Sequence, residues 1–98
     1  MPAPTVLVVE DDPTILQLLD VNFEMEGYLV LRAEDGEQGL AVALESRPDI
    51  IVSDVMMPKM SGIELVVALK RAEATRSIPV ILLSAKAQGA DVRAGLEA

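Results

Sequence analysis

The 98-residue chain contains no cysteine and no histidine. The first absence excludes a disulfide framework, a thiolate zinc site and a cysteine nucleophile. The second excludes Ser-His-Asp and Cys-His catalysis and any imidazole-ligated metal. Aromatic residues are limited to Phe23 and Tyr28. Basic residues are scarce: eight Lys and Arg stand against sixteen Asp and Glu, a net charge of −8. A domain of that sign is repelled by DNA phosphates, so no nucleic acid is expected to be contacted by this segment. No apolar run approaches the ~20 residues that cross a bilayer, and Met1-Pro2-Ala3-Pro4 carries no basic n-region. The expectation is a soluble cytoplasmic protein with no membrane partner.

What remains is apolar mass and carboxylate oxygen. Hydrophobic residues make up 51% of the chain, enough for the core of one domain and too many for intrinsic disorder. Thr5–Val9 is a wholly apolar, β-branched run, the pattern of a strand covered on both faces. Asp12-Pro13 then opens a helix as cap and first residue, with Ile15, Leu18, Leu19 and Phe23 at helical spacing and Gly27 as its stop. A second strand is read at 28–31, a turn at Asp35-Gly36, and a second helix through Leu40, Ala41 and Leu44 that ends before Arg47-Pro48. Ile50, Ile51 and Val52 form a third strand that runs out at Ser53-Asp54; a third helix spans about 63–72, a fourth strand 78–83, and a fourth helix starts near residue 90.

Alternating strands and helices dictate a parallel sheet with right-handed crossovers and helices on both faces. The fold expected is α/β, a flavodoxin-like doubly wound sheet of four strands in the order 2-1-3-4. In such sheets, function collects beyond the carboxyl ends of the strands. There the sequence places Glu10, Asp11 and Asp12 after strand one, Asp54 after strand three and Ser84 after strand four. Like charges crowded together repel and raise one another's pKa values, and the usual remedy is a hard cation. Mg²⁺ accepts one or two carboxylates and keeps several waters for exchange with phosphate oxygens. A carboxylate can also attack phosphorus to give an aspartyl phosphate, with the metal neutralising charge on the transferred group.

LVVEDD (7–12), SDVMMPKMSG (53–62) and PVILLSA (79–85) together resemble the receiver domain of two-component response regulators, over essentially the whole chain. The resemblance implies that Asp54 is the phosphoacceptor, charged by the phosphohistidine of a sensor histidine kinase. It implies Asp11 as a direct ligand of Mg²⁺ (or Mn²⁺), joined by Asp54, by Glu10 directly or through water, and by the Met56 carbonyl. Ser84 matches the switch hydroxyl that contacts the phosphoryl group, and Pro58 and Gly62 match residues that shape the loop over the site. Any turnover would be slow self-dephosphorylation, so no enzyme is expected. A complete parent is expected to carry a separate output domain, often a DNA-binding transcription regulator.

Several residues admit plainer roles. Asp12 before Pro13 suits a helix cap better than a metal ligand. Met56, Met57 and Met60 suit loop packing, Lys59 a solvated loop charge, and Lys70, Arg71 and Arg76 the negative end of the third helix. Family receivers continue through a fifth strand, with a lysine at its end, and a fifth helix; residues 1–98 are read as a receiver domain without these and without an output domain. Lys86 is no match for that lysine. Strand four would then be an edge, inviting self-association by strand pairing or element swapping. The alternative function is a truncated receiver-like module that dimerises constitutively without phosphate control. A flavin site or a dehalogenase-type phosphatase is disfavoured, because Glu10-Asp11-Asp12 is neither a phosphate-binding loop nor a D-x-D nucleophile motif.

Overall fold

A computed structural model of the chain describes residues 3–57 and 59–83. In chain order the elements are β1 (Thr5–Val9), α1 (Pro13–Met25), β2 (Leu29–Ala33), α2 (Gly36–Ser46), β3 (Ile50–Asp54), α3 (Gly62–Arg71) and β4 (Val80–Leu83). The strands pair in parallel in the order β2-β1-β3-β4, the order expected of the doubly wound sheet. The expected fourth helix, Pro58 and Ser84 lie outside the described residues.

β1 carries no polar alternation because both of its faces are covered. Leu7 and Val9 point, with Ile51, into a core closed by Ala43 of α2 and by Leu65 and Leu69 of α3. Val6 and Val8 point, with Val52 and Leu83, to the opposite face, where Leu16 of α1 covers them and Leu19 and Phe23 pack alongside. Helices therefore lie on both faces, and each buried branched side chain contributes roughly 1.5–3 kcal/mol.

The helix ends follow from local chemistry. α1 closes in a Schellman motif: Tyr28 N–H donates to the Phe23 carbonyl (3.1 Å) and Gly27 N–H to that of Glu24 (3.0 Å), with Gly27 at φ 93°. Tyr28 is thus the last residue of this cap, and β2 begins one residue later than its aromatic β-propensity suggests. Its ring meets Phe23 edge-on at 5.5 Å. Asp35-Gly36, read as a turn, is the cap and first residue of α2, with Asp35 accepting from Gln38 N–H. α3 opens with a capping box between Ser61 and Glu64. β4 starts at Val80 rather than Ile78, because Ile78 N–H is spent on the Thr75 carbonyl (3.1 Å) in the preceding turn.

Candidate functional site

β1 and β3 are adjacent and parallel, with Val9 opposite Ser53, so their carboxyl ends reach the same edge of the sheet. Glu10 extends the pairing of β1 by one bond, its N–H donating to the Ala33 carbonyl at 3.0 Å, and its side chain is 1% exposed. Asp54 closes β3 and is 2% exposed. Asp11 is half-buried beside them. One carboxylate oxygen from each of Glu10, Asp11 and Asp54 lies within 4.8 Å of the others.

Asp12 is occupied at the helix start instead. Its Oδ1 accepts from Thr14 N–H (2.8 Å) and Ile15 N–H (3.2 Å), capping α1. Its own N–H donates to Glu10 Oε2 (2.9 Å), so the turn that starts α1 also orients Glu10. Asp54 caps no helix, since Ser61 holds that position for α3.

The backbone after Asp54 is fixed on several sides. Val55 N–H donates to the Leu83 carbonyl (3.1 Å), and Gly62 N–H returns to that of Val55 (2.9 Å). Ser53, buried, donates its hydroxyl to the Asp54 carbonyl at 2.9 Å. A Cβ on Gly62 would clash with that same carbonyl oxygen, which is the physical reason a glycine opens α3. The Met56 side chain is 68% exposed, whereas Met57 and Met60 pack against the core under α2 and α3. The loop-packing role expected of all three methionines therefore holds for Met57 and Met60 and not for the exposed Met56.

The donor set fits a hard divalent cation. Octahedral Mg²⁺ with oxygens at about 2.1 Å places neighbouring ligands about 3 Å apart and opposite ones about 4.2 Å apart. Three carboxylate oxygens within 4.8 Å of one another need only small side-chain movements to share one such ion, and their combined charge favours it.

The response regulator receiver domain model matches residues 6–98. The chain belongs to the response regulator receiver domain family. It is 42% identical over 94 residues to the DNA-binding dual master transcriptional regulator RpaA of Synechocystis, covering 96% of this chain and 39% of that protein. It is 43% identical over 97 residues to the phosphate regulon transcriptional regulatory protein PhoB of Pseudomonas aeruginosa, covering 99% and 42%. The receiver domain thus spans about two fifths of the length of these curated relatives. Among solved structures it superposes on the N-terminal domain of a response regulator receiver protein from Methanoculleus marisnigri with a TM-score of 0.80 at 35% identity, over 93% of this chain and 75% of that one. The receiver domain of the sensor histidine kinase PA1611 of Pseudomonas aeruginosa, which has a magnesium ion coordinated in its active site cleft, gives 0.82 at 29% identity, over 98% and 79%. Receiver domains of transcriptional regulators are signalling domains rather than enzymes in the ordinary sense. Among the described residues of this one, no helix is long and apolar enough to cross a membrane.

The structure also defines polar contacts outside the acidic cluster. Lys59 is exposed, as expected of a solvated loop charge, and its ammonium also lies 3.7 Å from Asp35, which is buried at the start of α2. The Asp35-x-x-Gln38 spacing, an acid followed three residues later by glutamine, is a helix-start signature that would have revealed the Asp35 cap. Lys70 at the end of α3 donates to the Arg76 carbonyl (3.1 Å), in keeping with a cation at a helix C-terminus.

Proposed function

We propose that this receiver domain is a phosphorylation-dependent switch of a two-component phosphorelay, with Asp54 as the phosphoacceptor and a sensor histidine kinase as the donor. The observation that carries the reading is the meeting of Glu10, Asp11 and Asp54 across adjacent strand ends, within 4.8 Å. A carboxylate oxygen of Asp54 attacks phosphorus, the bond from phosphorus to the donor imidazole nitrogen breaks with its electron pair going to that nitrogen, and the ring, already protonated on its other nitrogen, leaves as neutral imidazole. Asp11, Asp54, the Met56 carbonyl and Glu10, directly or through water, would hold Mg²⁺ (or Mn²⁺). When bound, that ion neutralises charge on the transferred phosphoryl oxygens. The magnesium coordinated in the cleft of the PA1611 receiver domain supports the same cofactor here. Glu10 is held for this role by Asp12 N–H, and burial of Asp54 limits water's access to the acyl phosphate. Ser84, next in sequence after β4, supplies the switch hydroxyl in this reading, and Pro58 and Gly62 shape the loop.

The wider reading is a cytoplasmic regulator whose output domain, like those of the named DNA-binding and transcriptional relatives, acts on transcription. Self-association through β4 belongs to the same reading: among the described residues β4 pairs with β3 alone. Sedimentation at micromolar concentration, with and without beryllofluoride, tests it; a monomer under both conditions excludes it. The phosphoacceptor is tested by incubation with acetyl phosphate and Mg²⁺ followed by intact mass measurement. One added phosphoryl group is expected for the unaltered chain and none for Asp54→Asn. Uptake by a folded Asp54→Asn variant, or none by the unaltered chain, overturns the assignment.

A further inference from the structure

The loop between β3 and α3, which carries Met56, is held from a side that phosphoryl transfer itself does not use. Asp35 caps α2 through Oδ1, which accepts from Gln38 N–H at 2.8 Å, and presents Oδ2 to Lys59 Nζ at 3.7 Å. Gln38 Oε1 in turn accepts from Glu34 N–H at 3.1 Å, so the corner that offers Asp35 is closed on both sides. Lys59 meets it with a backbone φ of 69°, a left-handed conformation that lysine adopts only at a cost. The next residue, Met60, lies so close to Gly36 that a Cβ on the glycine would clash with the Met60 carbonyl oxygen. The Met57 and Met60 side chains are seated against the core below. A non-glycine residue in this conformation is kept there by its surroundings, and here these are a buried carboxylate and an apolar seat.

We propose that Lys59 and Asp35 form a tether that positions the loop, and with it the Met56 carbonyl, for the metal site. Lys59 is then a positioning residue for phosphoryl transfer and touches neither metal nor phosphate. The inference rests on the reading of Asp54 and Mg²⁺ given above. Lys59 separates two effects by sign. Loosening the loop weakens Mg²⁺ binding, whereas deleting a cation from a chain of net charge −8 strengthens Coulombic attraction for a divalent ion. Asp35→Asn removes the charge while keeping the acceptor that caps α2, because asparagine caps as well as aspartate.

The test measures Mg²⁺ affinity by titration calorimetry, and acetyl phosphate uptake at low and saturating Mg²⁺, for the unaltered chain, K59M, K59R, D35N and the K59M/D35N double variant. K59M alters an exposed side chain and is expected to fold. K59M and D35N are each expected to weaken Mg²⁺ binding about two- to five-fold, the scale of one exposed ion pair. K59R should restore it, the double variant should be no weaker than either single, and saturating Mg²⁺ should recover the rate of uptake. Mg²⁺ binding by K59M that is equal to or tighter than that of the unaltered chain overturns the tether, as does a double variant whose loss is the product of the two singles. Failure of the unaltered chain to bind Mg²⁺ or accept phosphate would instead overturn the parent reading.

Discussion

Gly62, the first residue of α3, lies against the backbone carbonyl oxygen of Asp54, the last residue of β3, so closely that a side chain of one carbon would clash with that oxygen. Positive φ among the described glycines is confined to Gly27, so alanine at Gly62 meets a steric obstacle and no conformational one. Either α3 shifts outward or the end of β3 bends. Overpacking of this kind costs about 1–3 kcal/mol, only part of which the better helix propensity of alanine offsets. Gly62→Ala is therefore expected to lower the urea midpoint and, by moving Asp54, to weaken Mg²⁺ binding. Unchanged values of both would show that the two backbones are not in contact in solution.

Asp11 and Asp12 are neighbours in sequence, and two variants separate the metal-ligand role proposed for Asp11 from the capping role of Asp12. Mg²⁺ at 100 times its dissociation constant should stabilise the fold by about 2.7 kcal/mol, because only the folded chain assembles the three acids. Asp11→Asn should lose most of that increment. Asp12→Ala should lower stability by about 1 kcal/mol with or without metal, through loss of the α1 cap, and should keep its response to Mg²⁺. Unfolding curves in EDTA and in Mg²⁺ give both quantities. An Asp12→Ala protein that no longer responds to Mg²⁺ would put Asp12 in the metal shell.

The parts of this molecule that sequence made legible are those fixed by local pattern. Val6 to Val9 announced a central parallel strand because burial on both faces removes the alternation an exposed face would impose. Strand-helix alternation then brought the ends of β1 and β3 together, and with them Glu10, Asp11 and Asp54. What stayed hidden depends on through-space partners. Nothing near Lys59 in the chain names Asp35 as its counter-ion, since the two meet only when α2 and the loop before α3 are both in place. Tyr28 looked like strand because aromatic residues favour strands, while the cap bonds that hold it to Phe23 depend on Gly27 turning left-handed. Ile78 was read into β4 because β-branched residues favour strands as well, and its N–H proved to belong to the turn around Thr75.

Thr75 offers a control that separates stability from site geometry. It is fully buried, and its hydroxyl donates to the Leu69 carbonyl at 2.8 Å in the last turn of α3. Thr75→Val keeps the shape, removes the donor and leaves a buried carbonyl without that bond, a loss of about 1–3 kcal/mol. The turn that contains Thr75 precedes β4, so it lies at the amino end of the sheet, opposite the acidic cluster. The variant should therefore unfold at lower urea concentration while binding Mg²⁺ with unchanged affinity below its transition. A parallel fall in affinity would mean that the end of β3 senses the packing of α3 as a whole. In that case Gly62→Ala could not be read as a local effect on Asp54.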